Sequence, residues 1–273
     1  MGSKMSDRLL DLYLRYRVAL PLASFLIYLN TTQIVLGRIG FKSLYCGLSF
    51  VALMEIMYAY DARFRNKEDV INLPEGRAVS HGVRSLLLAA ALPVALLLSA
   101  GFWPLLLYAT LAIAVYSDPH ILPRQFKSIP GLKMLVNMLN FWTVGILAPM
   151  LFIHELSFGL VGSALRVSVP FLVLLFSLNV LIDIRDAVGD RAAGVWTFPA
   201  AIGVPASAGL IVLLFLGCGT VAVVRGDVGG AGFAFGLAAL SSAAVKPRSR
   251  LYYEWVLAFT NVYLAGLLVF RFR

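Results

Sequence analysis

Charge is scarce in this sequence: Lys, Arg, Asp and Glu together make up 14% of its 273 residues, against about 25% in an ordinary soluble domain. That scarcity excludes a water-soluble globule of this size, because the polar side chains could not cover its surface. Histidine and cysteine are scarcer still. Cys46 and Cys218 stand inside apolar segments with no partner at metal-ligand spacing, so both read as space-filling. His81, His120 and His154 are not spaced with a cysteine or carboxylate as a zinc site requires. A cleavable signal peptide is not expected either, since Met1–Tyr13 is polar and the first apolar segment is long enough to span a membrane. Met1–Lys4, ahead of Met5, reads as an appended leader with no part in the fold.

Hydrophobic residues fill the space that charge leaves, at 60% of the chain and a mean hydropathy of +0.85. A spanning helix needs roughly 20 apolar residues, and the sequence offers many such stretches. The pattern predicts nine helices: Val18–Leu36, Lys42–Tyr60, Arg84–Gly101, Trp103–Tyr116, Leu132–Ile153, Val167–Asp183, Pro199–Val224, Gly229–Val245 and Tyr252–Phe270. Only Phe102-Trp103-Pro104 separates the third from the fourth, which predicts a tight helical hairpin. The fourth is short, as suits a helix packed among others.

The net charge of +9 does not point to nucleic acid, because the basic residues sit in short caps between apolar segments rather than on one polar face. The bilayer is the partner that explains them. Of the 23 Lys and Arg residues, all but Arg38, Lys42, Arg166, Arg225, Arg271 and Arg273 fall on the amino-terminal side of the nine-helix topology. Lys133, Arg185 and Arg250 are among those on the amino-terminal side. Basic loops face the cytoplasm, which predicts a cytoplasmic amino terminus. Asp61, Glu68, Asp69, Glu75, Asp118, Asp183, Asp186 and Asp190 share that side.

Chemistry concentrates at the end of the sixth predicted helix. Asn179, Asp183, Asp186 and Asp190 recur at spacings of four, three and four. At about 100° per residue, that places them on one narrow helical stripe. Like charges in such a stripe repel by about 0.2–0.5 kcal/mol per exposed pair, and by more where burial weakens screening. A cation is therefore expected among them. Hard carboxylate oxygens suit Mg²⁺, which takes one or two carboxylates together with substrate phosphates. A second acidic segment stands in the equivalent place after the second predicted helix, where Asp61 and Glu68 share a face and Asp69 lies beside them. Two acidic helix ends on one membrane side can enclose a multiply charged anion with bridging metals.

The string Asp183-Ile-Arg-Asp186-Ala-Val-Gly-Asp190-Arg191-Ala-Ala-Gly-Val-Trp-Thr197-Phe-Pro199 resembles the second aspartate-rich motif of the UbiA superfamily of intramembrane prenyltransferases. The nine-helix count, the two-halved layout, and Tyr116-Ser117-Asp118-Pro119 followed by Lys127 are similar to that family too. The resemblance implies an all-α membrane protein, a single domain over residues 1–273, with nine transmembrane helices in two pseudo-repeated halves around a central cavity. It also implies that an isoprenyl diphosphate binds between the two acidic motifs with its tail among the helices. Mg²⁺ and basic residues would stabilise the departing diphosphate as an allylic cation forms.

On that resemblance, Asp183, Asp186, Asp190, Glu68 and Asp69 are the expected metal ligands. Asp186, Asp190, Asp69 and Lys127 carry catalysis, and Asp61, Arg65, Arg77, Arg124, Tyr116, Asn179 and Arg191 meet substrate. The first motif departs from the family pattern: Arg65 falls where a metal-binding aspartate is expected and Asp61 where an asparagine is expected. Arginine cannot ligate a metal but binds phosphate through its planar fork, and Glu68 is positioned to supply the missing carboxylate.

Glu55 and Glu254 are costly inside apolar helices and read as internal hydrogen-bond partners ahead of the alternative, contacts to an acceptor. Asn137 and Asn140 are one-face neighbours that read as interhelical contacts or as walls of an acceptor pocket. Some of the aromatic residues should line the cavity, where ring faces stabilise a carbocation. The leading expectation is transfer of a prenyl group to an aromatic or other lipophilic acceptor. The alternative is a terpene cyclase of the same superfamily that needs no acceptor. A transporter is disfavoured, because the acids cluster at one membrane face rather than at the midplane.

Overall fold

The computed structural model describes residues 19–61, 71, 82–117, 129, 131–152, 158–246 and 248–271, which are helical apart from short turns. The helices are α1 (Ala19–Leu36), α2 (Phe41–Asp61), α3 (Val83–Ser99), α4 (Trp103–Ser117), α5 (Leu132–Met150), α6 (Phe158–Ala193), α7 (Phe198–Ile202), α8 (Val204–Val224), α9 (Val228–Ser242) and α10 (Arg250–Arg271). Each predicted helix has a counterpart among these. Gly101, at φ 88°, makes the tight link between α3 and α4. Among the described residues five helical stretches are long and apolar enough to cross a membrane: α1, α2, α5, α8 and α9 with its terminal turn. α8 has a mean hydropathy of 2.4 and leaves Leu213, Leu216, Val221, Val223 and Val224 exposed. In water that apolar surface would be a liability; against lipid it is in its own phase. The chain is an integral membrane protein.

Three predicted boundaries are corrected. The sixth predicted helix, Val167–Asp183, is the 36-residue α6, so the acidic stripe that was expected at a helix end forms the last three turns of the helix itself. α6 stops at Gly194, where φ is 72°. There the Gly194 amide donates to the Arg191 carbonyl and the Val195 amide to the Asp190 carbonyl, the paired bonds of a Schellman cap. The seventh predicted helix, Pro199–Val224, is broken at Gly203 (φ 89°), where a following Val-Pro step disfavours continuation. Its first part is capped by Thr197, whose side chain accepts from the Ala200 amide. The fifth is interrupted by a π-turn at Thr143–Leu147, a widening often found next to functional sites.

Two apolar cores form. One gathers Ile27, Tyr28, Phe50, Phe102, Phe141, Ile146, Leu175 and Leu264. The other gathers Leu178, Leu181, Ile184, Ile211, Phe215, Leu237, Val256 and Leu257. Both draw on α6 and α10, which therefore act as struts shared between them. α10 is tied to α1 by two buried amides: Asn30 donates to the Leu264 carbonyl and Asn261 to the Ala19 carbonyl, each at 2.9 Å. Inside a bilayer such bonds replace the hydrophobic drive between helices.

The π-turn places Gly145 against α1. A Cβ there would come within 2.9 Å of Ile27 Cγ2, and Ile27 is itself fully buried. Gly145→Leu should therefore cost about 1–3 kcal/mol through overpacking. A lower thermal unfolding midpoint in detergent would show it, and an unchanged midpoint would contradict the close approach.

Candidate active site

α5 and α6 run antiparallel, and their polar residues meet in register. Lys133, at the second position of α5, reaches Asp183 Oδ1 at 3.0 Å and Asp190 Oδ2 at 3.3 Å. One turn along, Asn137 Nδ2 donates to Asn179 Oδ1 at 3.4 Å. Stepping forward four residues on α5 thus steps back four on α6. Asn179 also donates to the Leu175 carbonyl of its own helix at 2.8 Å, which fixes its amide. Tyr108 on α4 donates to Asn140 Oδ1 at 3.0 Å, so both asparagines of α5 make interhelical contacts.

Asp183 and Asp190 sit two helical turns apart, both buried, and converge on one ammonium. Asp190 lies beyond the apolar stretch of α6. Burial pushes its carboxyl up to about 6, against the opposing pull of the Lys133 charge. That nearby cation is what favours the ionised form at neutral pH.

Asp186 faces another partner. Arg185 grips it through a two-pronged bond, Nε to Oδ1 and Nη2 to Oδ2, both at 2.8 Å. The same guanidinium lies 3.6 Å from Glu254 Oε1 on α10, and Arg250 Nε lies 3.9 Å from that oxygen. Asp186, Arg185, Glu254 and Arg250 thus form an alternating chain of charges joining α6 to α10. The expected cation among the acids is present in the chain's own side chains. Glu254 takes the internal-partner role of its two readings, and Lys133 and Arg185, which the sequence marks only as basic residues of the amino-terminal side, pair with the acids. The signal for Lys133 was available in its four-residue spacing to Asn137, which mirrors that of Asp183 to Asn179.

Of the other residues singled out, Arg191 lies exposed at the end of α6 and donates to the Pro199 carbonyl at 3.3 Å. Glu55 is half-buried on α2. Arg65, Glu68, Asp69, Arg77, Arg124, Lys127 and the three histidines lie outside the described residues, as do the side chains of Asp61 and Tyr116. Cys46 is buried and Cys218 half-buried, neither in a disulfide. Among the described residues no group of three His, Cys, Asp or Glu gathers to hold a metal.

The fold defines a polytopic helical membrane protein with a buried acidic helix. No family model matches the sequence, and no curated protein matches it. Its fold is similar to the apo structure of a UbiA homolog from Aeropyrum pernix K1, with a TM-score of 0.58 over 94% of this chain and 99% of that one. At 17% identity the likeness establishes the fold. Asp183 and Asp190, converging on one point, are a donor pair that suits Mg²⁺, which takes one or two carboxylates from a protein when phosphates supply the rest.

Glu254→Ala should take away one of the two anions beside the half-buried Arg185 and leave Arg250 without that partner, at a cost of about 1–3 kcal/mol. The loss should appear as a lower unfolding midpoint in detergent. An unchanged midpoint would show that the charge chain does not hold α6 to α10.

Proposed function

We propose that this chain is a member of the UbiA superfamily and acts as a Mg²⁺-dependent prenyltransferase. In this reading it moves an isoprenyl group from its diphosphate to an aromatic or other lipophilic acceptor within the membrane. The observation that carries the reading is the pair Asp183 and Asp190, buried and convergent on α6 of a UbiA-like helical fold. Nine transmembrane spans surround a central cavity that takes the isoprenyl tail. The amino terminus and both acidic motifs face the cytoplasm, as the asymmetry of basic residues indicates.

Asp183 and Asp190 would hold Mg²⁺ on the side of α6 that meets α5, with Asp186 next to them, and Glu68 and Asp69 of the first motif are proposed as further ligands. Bound Mg²⁺ would supply charge that stabilises the departing diphosphate. The chain's own residues do the rest. Lys133 lies within reach of the same anion, and Lys127, Arg77, Arg124 and Arg65 add basic contacts from the cytoplasmic loops. Asn179, locked by Asn137 and the Leu175 carbonyl, presents a fixed polar edge one turn deeper in the bundle. Arg185 holds Asp186 in one orientation and ties it to α10. Apolar helices exclude water from the allylic cation, so that an acceptor captures it.

Asp190→Asn, which removes a carboxylate that would hold the cation, and Asp186→Asn, which frees Arg185 from its fixed place beside it, should each lower turnover at least about 100-fold, the scale of losing one preorganised electrostatic group. The assay is release of diphosphate from geranyl, farnesyl and geranylgeranyl diphosphates with Mg²⁺, with products identified by mass spectrometry. Full activity in either variant would refute the assignment. A cyclic hydrocarbon or alcohol formed with no acceptor present would replace the transferase by the terpene cyclase. The irregular first motif, with Arg65 at an acidic position, favours that alternative.

The topology has its own test. In a background lacking Cys46 and Cys218, a cysteine at Arg225 should react with an impermeant maleimide added outside intact cells, and one at Lys246 should not. The reverse pattern would invert the orientation.

A further inference from the structure

The two carboxylates best placed for a divalent cation are both already held by Lys133. We propose that Lys133 is a tethered counter-ion that competes directly with a divalent cation for Asp183 and Asp190, so that the cation enters as the ammonium withdraws. This rests on the functional reading above and adds to it a binding order for the site.

The geometry supports competition over sharing. The ammonium bridges Asp183 Oδ1 at 3.0 Å and Asp190 Oδ2 at 3.3 Å. A Mg²⁺ ion sits about 2.0–2.1 Å from its oxygens. On the same pair it would therefore lie close to the lysine nitrogen, where two cations repel strongly in a weakly screened setting. Asp186 offers no easy substitute, since both its oxygens accept from Arg185. Of the three groups at the bridge, Lys133 is the one able to move. Its side chain is 19% exposed, while those of Asp183 and Asp190 are 8% and 2% exposed. It projects on a flexible stem from the start of α5, just after Gly131, whose φ is 75°. Once withdrawn, an ammonium with three donors is a suitable partner for a phosphate oxygen. Arrival of a diphosphate with its cation would then exchange both partners together.

The test is Mn²⁺ binding to the full chain in detergent, read by loss of the free-ion electron paramagnetic resonance signal. Lys133→Met should bind Mn²⁺ at least about tenfold tighter than the unmodified chain, since it removes a charge in contact with both ligands. The gain should vanish in Lys133→Met/Asp190→Asn, and Lys133→Arg, which keeps the cation, should bind as weakly as the parent. Should Lys133→Met fail to fold, Lys133→Gln carries the same expectation. An affinity unchanged or weakened in the neutral variants, or a gain that survives loss of Asp190, would overturn the proposal. Turnover of prenyl diphosphates alongside that result would overturn the proposal alone. Absence of both Mn²⁺ binding and turnover in every form would overturn the functional reading with it.

Discussion

Three carboxylates on a mostly buried helix must be neutralised, and the way this is done organises much of the structure. Lys133 answers Asp183 and Asp190 from α5, and Arg185 answers Asp186 on α6 itself while extending to Glu254 on α10. Buried ion pairs contribute little net stability relative to apolar side chains, but breaking one leaves a charge stranded. Their effect here is on arrangement. α5, α6 and α10 are held in one register at the acidic end, because a slip by one residue on α6 would turn the carboxylates away from their cations.

The rest of the fold supports that register. α6 contributes to both apolar cores, through Leu175 to one and through Leu178, Leu181 and Ile184 to the other. Its acidic face is thus backed by packing on either side. The Schellman cap at Gly194 draws on the Asp190 carbonyl, which fixes the backbone at the last acidic position. Towards lipid the exposed leucines and valines of α3 and α8 leave no need for charge. The charges of α6 are free to pair with those of α5 and α10.

Much of this was legible from the sequence. Composition indicated the membrane, apolar runs indicated the helices, and the spacing of Asn179, Asp183, Asp186 and Asp190 indicated a charged face requiring cations. Glu254 was expected to find an internal partner, and it does. The helix ends were less legible, since Asp183–Ala193 is polar enough to resemble a loop and is helical because its charges are paired and its end is capped. The break at Gly203 and the π-turn at Thr143–Leu147 were missed, as both depend on neighbouring packing that apolar periodicity does not record.

The opposite neighbour of each charge was the least legible feature. The spacing of Lys133 to Asn137 hints at a shared face but names no partner, and only the antiparallel docking of α5 on α6 brings Lys133 between carboxylates fifty and fifty-seven residues away. The scarcity of charge by itself determined that the protein lives in a bilayer, because solvation depends on side-chain chemistry summed along the chain. Which cation meets which anion was decided by tertiary structure alone, because that pairing depends on distances of a few ångströms between residues far apart in sequence.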